Sequence, residues 1–390
     1  MKYFVPRTVI IFGMVSFLND TASEMITPLL PLFLTATLGA GPAIVGLVEG
    51  LAEATASILK LVSGWLADRG WNAKKLVVGG YTVSNTSRPL IGFAMSWGCV
   101  LVLRFLDRVG KGIRTAPRDA LIASSTDRHQ RGRAFGFQRT MDHAGAMLGP
   151  LLAFGLLQWG MTMEHVFMAA IIPGGALIVL LVFGLKMPPK VQPKYPPARL
   201  HWKSLDARVK GLVLASGGLA LATTPEAFLV LWANQGGISI SWIPLLWAAA
   251  SGIKSLVSGP AGALSDRFGR LRIVSIGWTA RILLLIAFAW LPDGGMIVWV
   301  LFLGYAAALA FTEGAERAML GDFSPAEQQG TVFGLYHLLS GIMILPGAVL
   351  FGAVWQWLGM NSAFAMAAIL TTIAAITLRM LAAGDSRQKQ

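Results

Sequence analysis

Acidic side chains recur at helical spacing inside apolar stretches of this 390-residue chain. Asp20 and Glu24 stand four residues apart, as do Glu49 and Glu53, so each pair shares one face of a helix. A buried carboxylate that lies near an arginine stays ionised until a conformational change separates the two, and it can then take up a proton. A carboxylate pair that lies beside an arginine would thus act as a proton switch. The alternative is a static network of buried ion pairs that joins helices.

Further charges follow the same pattern. One predicted helix carries a stripe that comprises Arg104, Asp107, Arg108 and Lys111. The next carries a stripe that comprises Arg139, Asp142 and His143. Five further residues complete the candidates for a cavity that binds solute and protons: Arg88, Glu226 and His337, together with Glu313 and Arg317 from a local cluster in the tenth helix. Since a charge at the centre of a bilayer costs at least about 2.5–3.5 kcal/mol, these groups must face one another or a wet cavity.

Two of these candidates leave an alternative open. Glu226 follows the helix-breaking Pro225, which favours a position lining a cavity, whereas pairing with Lys254 or Arg281 would make it structural. His337 can titrate near neutral pH, although a hydrogen-bonded helix histidine is the commoner arrangement.

The composition indicates which elements must position these residues. The chain is 55% hydrophobic and only 13% charged, whereas a soluble domain carries about a quarter charged residues. Most of the chain must therefore lie in lipid. The net charge of +13 has no long polar domain on which to form a nucleic-acid surface, and the single cysteine, Cys99, permits no internal disulfide.

Cutting the chain at its polar breaks gives about twelve segments long enough to span a bilayer, which takes roughly 20 helical residues. A proline-rich polar stretch separates six spans from six. We therefore predict an all-α polytopic membrane protein with an N-terminal six-helix half (1–185), a cytosolic linker (186–208) and a C-terminal six-helix half (209–390). Most of the 32 Lys and Arg residues fall in alternate loops, and the opposite loops contain none. This bias predicts that both termini are cytosolic.

The two halves repeat one another. The segment GWLADR (64–69) matches GALSDR (262–267), and GRAFGF (132–137) matches GTVFGL (330–335). Both pairs are offset by the same 198 residues. Repeated halves of a transporter place the binding site near the bilayer midplane, where one half can rock against the other.

These motifs resemble those of the major facilitator superfamily. The repeated GxLxDR box is similar to that family's loop signature, and the segment RFLDRVG (104–110) is similar to its fourth-helix motif. Gly136, Gly145, Gly149 and Pro150 resemble the antiporter motif of its fifth helix, with Ala153 and Phe154 in place of the final glycines. The resemblance implies twelve transmembrane helices in two pseudo-symmetric halves. It also implies that the first and fourth helices face a central cavity, with Asp20 and Glu24 opposite Arg104 and Arg108.

The loop boxes and the fifth helix are candidates for a conformational gate. Asp68 can pair with Arg131 or Arg133, and a plain basic loop that fixes topology is the alternative. The glycines permit close helix packing and Pro150 permits a bend, which ordinary packing would also explain. The gate candidates are Gly64, Asp68, Arg69, Arg131, Arg133, Gly262, Asp266, Arg267, Gly145, Gly149 and Pro150.

The sequence favours a secondary transporter over an enzyme or a channel. It contains no GxSxG, HExxH or P-loop motif, and a channel would not need the repeated loop boxes. We expect proton-coupled efflux by antiport of a drug or metabolite across the inner (plasma) membrane. The alternative is proton-coupled uptake of an anionic metabolite or metal chelate. The expected partners are a small-molecule solute, protons and the lipid bilayer; we expect a monomer, with no cofactor, metal or nucleic acid.

Overall fold

A computed structural model of the chain describes residues 6–69, 71–126, 131–185, 207–290, 294–323 and 329–383. Within these ranges every regular element is helical. Counting a helix that continues through a short break as one, the helices are α1 (Arg7–Ile26, continued by Leu30–Leu32 and Phe33–Thr37), α2 (Pro42–Asp68), α3 (Ala73–Leu90, continued by Ile91–Phe93), α4 (Trp97–Ser124), α5 (Arg131–Gln158), α6 (Met163–Ala169 and Ile171–Gly184), α7 (Ala207–Ala222 and Glu226–Gln235), α8 (Ile240–Trp242, continued by Ile243–Phe268), α9 (Arg270–Trp290), α10 (Met296–Phe323), α11 (Gln329–Leu358) and α12 (Met360–Ala383).

Nine of these helices, among the described residues, are long and apolar enough to cross a membrane. The other three, α3, α4 and α5, are of similar length but carry several of the charged residues singled out above. Large apolar side chains face outward on the apolar helices, as at Phe183, which is 80% exposed. Such a surface is stable in lipid and unstable in water.

The described residues form two compact units. Unit 1 contains those within Met1–Gly39, Thr55–Pro197 and Ser239–Ala248. Its core is built from α1, α3, α4 and α6, and includes Val9, Phe12, Tyr81, Ile122 and Leu177. Each of these side chains is at most 1% exposed.

Glycines allow the helices of unit 1 to approach closely. On α5, a Cβ atom at Gly149 would lie 2.6 Å from the backbone oxygen of Thr21 on α1. Between α3 and α4, a Cβ atom at Gly80 would lie 2.6 Å from the backbone oxygen of Gly110. No side chain fits at either contact, so the helix backbones themselves touch.

Unit 2 contains the described residues within Ala40–Ala54, Ala198–Ile238 and Ala249–Gln390. One part of its core joins α7, α9, α10 and α12 and includes Val274, Trp278, Met319 and Leu378. A second part is aromatic. The ring of Phe288 lies 4.5 Å from that of Trp232, 5.1 Å from that of Phe364 and 5.7 Å from that of Tyr305, measured between centroids.

The boundary between the units falls inside α2 and α8. The first part of α2 belongs to unit 2, where Gly46 packs against the backbone of Ala348 on α11. The first part of α8 belongs to unit 1, where Trp242 packs edge-on against Phe154 of α5 at 5.5 Å. Our division at the 186–208 linker stays a prediction, and residues 186–206 lie outside the described residues.

The repeat seen in the sequence recurs in the backbone. Gly39 and Gly237, which are 198 residues apart, both adopt positive φ (65° and 93°) in the turns before α2 and α8. Gly149 and Gly347 have the same offset; Gly149 packs on α1, and Gly347 packs on the backbone of Leu221 in α7. Equivalent positions therefore perform the same packing role in each unit.

We expect Gly149→Ala to destabilise the protein by about 1–3 kcal/mol, because the added methyl group meets backbone atoms that cannot move aside. Gly155→Ala, in the same helix, is the matched control, since a Cβ atom there meets no described atom within 4 Å. Thermal unfolding in detergent measures both. Equal unfolding temperatures for the two variants would contradict the packing argument.

Candidate functional site

A buried carboxylate surrounded by arginines lies in unit 1. Asp107, on α4, has a side chain that is 0% exposed. Its Oδ1 lies 2.9 Å from Nε of Arg88 on α3, and its Oδ2 lies 3.5 Å from Nη1 of Arg104 and 3.8 Å from Nε of Arg108. The three arginine side chains are at most 8% exposed. Asp107 is thus the common partner of three buried arginines.

Asn19 of α1 links this cluster to a second carboxylate. Nη1 of Arg88 donates to Oδ1 of Asn19 at 3.1 Å, to its backbone oxygen at 3.3 Å and to Oδ1 of Asn85 at 3.2 Å. Nδ2 of Asn19 in turn donates to Oδ1 of Asp20 at 2.8 Å. A chain of polar contacts therefore runs from the fully buried Asp107, through Arg88 and Asn19, to the half-buried Asp20.

Asp142 of α5 lies close to the same region. It accepts two hydrogen bonds from Nε2 of Gln138, at 2.9 and 2.7 Å, and that amide nitrogen also donates to Oγ of Ser16 on α1 at 3.1 Å. The exposed Arg139 lies 3.9 Å from Asp142 Oδ2. Gly145, three residues further along α5, packs on the α1 backbone at Phe17 and Thr21, so α5 places Asp142 beside the segment of α1 that carries Asp20.

Arg114 extends the polar region along α4. Its Nη1 donates to Oγ of Ser84 at 2.6 Å, and its guanidinium lies 4.3 Å from the ring centre of Tyr81. Oγ of Ser84 donates to the backbone oxygen of Asp107 at 2.7 Å. These contacts depend on the close approach of α3 and α4 at Gly80.

The remaining candidates of unit 1 and the start of α2 are more dispersed. Glu24 accepts a hydrogen bond from Nε1 of Trp247 at 2.8 Å, within unit 1. Lys111 is partly buried on α4. Glu53 is partly buried in the segment of α2 that belongs to unit 2. His143 is exposed on α5.

In unit 2, Glu226 pairs with Lys254, which is one of the partners that the sequence left open. Both side chains are about one third exposed, at 36% and 33%. His337 is exposed, with its ring 5.1 Å from that of Tyr336. Glu313 is exposed on α10, and the side chain of Arg317 lies outside the described residues.

The gate candidates are described only in part. Gly64 packs near Ala116 of α4, Arg69 stacks 3.8 Å above the ring of Trp65, and Oδ1 of Asp266 lies 3.8 Å from Nη2 of Arg270. A Cβ atom at Gly262 would meet no described atom within 4 Å, and the guanidinium of Arg267 lies 5.3 Å from the ring centre of Phe268. Gly145 and Pro150 are buried on α5, where Gly145 packs against the α1 backbone at Phe17. The side chains of Asp68, Arg131 and Arg133 lie outside the described residues.

Sequence reasoning missed the uncharged members of this network. Asn19, Ser84, Asn85 and Gln138 are each at most 5% exposed, and all make the contacts described above. A signal was present in α3, where the segment SNTSRP (84–89) gathers polar residues in the middle of a span. Searching for charge alone passes over such residues.

Comparison of the sequence with known families identifies the family of this chain. A family model described as the Major Facilitator Superfamily matches residues 12–348, and again residues 227–390. The chain belongs to this superfamily. A curated relative supports the assignment: an uncharacterized MFS-type transporter from Methanocaldococcus jannaschii is 32% identical over 383 residues, covering 96% of this chain and 94% of that protein.

Other similar proteins agree. The multidrug resistance protein MdtG of Klebsiella pneumoniae is 27% identical, with 90% of this chain and 88% of that protein covered. Among solved structures, a mutant of the nucleoside transporter NupG superposes with a TM-score of 0.81 at 12% identity, covering 96% of this chain and 99% of that one. A bacterial homolog of the human lysosomal transporter Spinster superposes with a TM-score of 0.79 at 17% identity, covering 96% of each. At these identities the two structures show the fold.

Membership of the superfamily confirms the predicted architecture. The protein is an all-α, multi-pass membrane protein whose twelve transmembrane helices form two pseudo-symmetric halves. It is a transporter and not an enzyme, and like other members it carries small-molecule solutes across a membrane.

In this transporter, Asp107→Asn should lower the free energy of unfolding by about 3–5 kcal/mol, because three buried guanidinium groups lose their shared counter-charge. Asp119→Asn is the control on the same helix: Asp119 is 43% exposed and pairs with Arg118, so we expect a loss below about 1 kcal/mol. Thermal unfolding in detergent compares the two. If both variants unfold at the same temperature, the Asp107 cluster contributes no more to stability than the exposed pair of Asp119 and Arg118.

Proposed function

We propose that this protein is a proton-coupled antiporter that exports a small organic solute, a drug or a metabolite, across the inner (plasma) membrane. Both termini lie on the cytosolic side in this proposal, as the distribution of Lys and Arg among the loops favours. The observation that carries it is the partly buried Asp20, joined through Asn19 to the arginine cluster, with Asp142 on the part of α5 that packs beside it.

The two carboxylates have the properties that a proton carrier needs. Neighbouring carboxylates can hold one proton between them, and both are incompletely buried, so a proton can reach them. Protonation of Asp20 removes the charge that Asn19 stabilises through its amide nitrogen. Because the same Asn19 accepts from Arg88, the protonation state of Asp20 is transmitted to the Arg88–Asp107 pair.

Export is supported by similarity. The relative MdtG is named a multidrug resistance protein, and it matches nearly the whole chain. Gly145 and Gly149, two of the fifth-helix glycines that resemble the antiporter motif, pack α5 directly against α1, the helix that carries Asp20. A shift of α5 along α1 would therefore change the surroundings of both carboxylates at once.

A second candidate function is proton-coupled uptake of an anionic solute. The concentration of buried arginines around Asp107 favours it, since three guanidinium groups lie within 4 Å of that carboxylate. Buried charge of one sign attracts a solute of the other.

Everted membrane vesicles separate the two functions. Respiration acidifies the vesicle interior, and a quinacrine-type fluorescent dye reports the pH gradient. A solute of an exporting antiporter, added outside, should release protons and restore fluorescence. A solute of an uptake symporter added outside should not. Screening a compound library in this way identifies the solute and the direction of transport together, and a complete lack of response across the library would remove the antiport proposal.

For a compound that gives a response, Asp20→Asn and Asp142→Asn should each abolish proton release, because neither amide can bind the proton. Glu164→Gln, at the first turn of α6 and outside the polar network, should respond like the wild type. Membrane content of each variant is checked by immunoblotting. Wild-type proton release in both aspartate variants would exclude this pair as the proton carrier.

A further inference from the structure

Arg281 carries a buried charge that no carboxylate of the described residues pairs with. It lies on α9 and is 5% exposed. Its Nη2 donates to Oγ1 of Thr223 at 2.9 Å, and its guanidinium lies 5.7 Å from the ring centre of Tyr305. A buried arginine without a counter-charge in a membrane span is expensive and marks a functional site by default.

The internal repeat shows which residue of unit 2 stands where unit 1 has a carboxylate. In unit 1, Arg88 of α3 pairs with Asp107 of α4. The offset of 198 residues aligns Asp107 with Tyr305 of α10, and Arg281 lies on α9, the helix that corresponds to α3. Arg281 aligns with Val83 and not with Arg88, but its guanidinium still lies beside the position equivalent to Asp107, where unit 2 has a neutral tyrosine.

Unsatisfied hydrogen-bond donors accompany this arginine. Nε of Arg281, Oη of Tyr305 and Oγ1 of Thr224 are all buried and have no hydrogen-bond partner among the described residues. Thr224 is 1% exposed and Tyr305 is 0% exposed. A buried polar group without a hydrogen-bond partner destabilises the fold, because its lost hydration is not replaced. A negatively charged ligand rich in acceptors would match the charge of Arg281 and accept from donors of this kind.

The backbone next to Arg281 also departs from helical geometry. Helix α7 is interrupted between Ala222 and Glu226, in the middle of a membrane span. Irregular backbone at membrane depth is tolerated where it is buried in protein or lines a cavity, and discontinuous helices in transporters form substrate sites. Thr223, which accepts from Arg281, and the following residue, Thr224, both lie in this interruption.

We propose that Arg281, Tyr305 and Thr224 form a subsite that binds an oxyanion, the carboxylate or phosphate group of the transported solute. The inference rests on the proposed transport of a solute, but it concerns unit 2 and is independent of the proton carrier in unit 1. It implies that the solute carries an acidic group and that these three side chains recognise that group.

Binding is tested on the purified full-length protein in detergent, without a pH gradient, so that failure of coupling cannot mask it. The probe is inorganic phosphate, with sodium chloride at equal ionic strength as the reference. We expect phosphate to raise the unfolding temperature by several degrees in a saturable manner, because a ligand that binds only the folded state stabilises it. No rise beyond that in chloride would overturn the proposal.

Variants connect the effect to the site. Arg281→Gln should abolish the phosphate-dependent rise, whereas Arg272→Gln, an exposed position on the same helix, should keep it. Tyr305→Phe preserves the ring and removes only the hydroxyl group, so it should fold and bind phosphate about tenfold more weakly. If Tyr305→Phe and Arg281→Gln both show the wild-type rise in unfolding temperature, phosphate binds at another site and the proposal is wrong. If Arg281→Gln does not fold, the Tyr305→Phe and Thr224→Val responses decide alone.

Uptake of labelled phosphate into proteoliposomes distinguishes the two sources of the oxyanion. Accumulation that Tyr305→Phe reduces would make the free ion the solute. Binding without accumulation would assign the subsite to the acidic group of a larger solute. Both results support the subsite, and neither depends on whether Asp20 and Asp142 carry the proton.

Discussion

The buried ion cluster at Asp107 is the interaction on which the polar interior of unit 1 depends. Arg104 and Arg108 of α4 and Arg88 of α3 converge on one carboxylate, and Arg88 reaches it across the close contact of the two helices at Gly80 and Gly110. A charge that cannot reach water has to be matched by its neighbours, so the spacing of these helices is fixed by electrostatics as much as by packing. Hydrogen bonds from Arg88 then fix Asn19, and through it the position of α1.

The two units share a backbone plan but differ in chemistry. Glycines at equivalent positions make the same turns and the same close helix contacts in both units. Unit 1 fills its centre with charge, whereas unit 2 fills its centre with the rings of Trp232, Phe288 and Phe364. The tyrosine that stands in unit 2 at the position equivalent to Asp107 is one instance of this difference. A repeat that preserves glycines can therefore diverge freely at the side chains that meet the solute.

The sequence was sufficient to predict the helices and the repeat, because length, apolar content and a constant offset are local or countable properties. It was also sufficient to place Arg104, Asp107 and Arg108 on one face of α4. It could not show that Arg88 of α3 makes the shortest of these contacts, since the partner of a charge on another helix depends on how the helices pack. The pairing of Glu226 with Lys254 stayed one of several possibilities for the same reason.

Burial separates charges that hold the structure from charges that can exchange. Asp107 is inaccessible and has three positive neighbours, so any proton that reached it would have to displace them. Asp142 is 14% exposed, and Asp20 is also only partly buried, so both are accessible without disruption of that cluster. Asn19 joins the two classes, and it carries no charge of its own that would have to be compensated when Asp20 changes state. A neutral link between a fixed charge and an exchangeable one is what allows protonation at the edge of the unit to alter the hydrogen bonding of its centre.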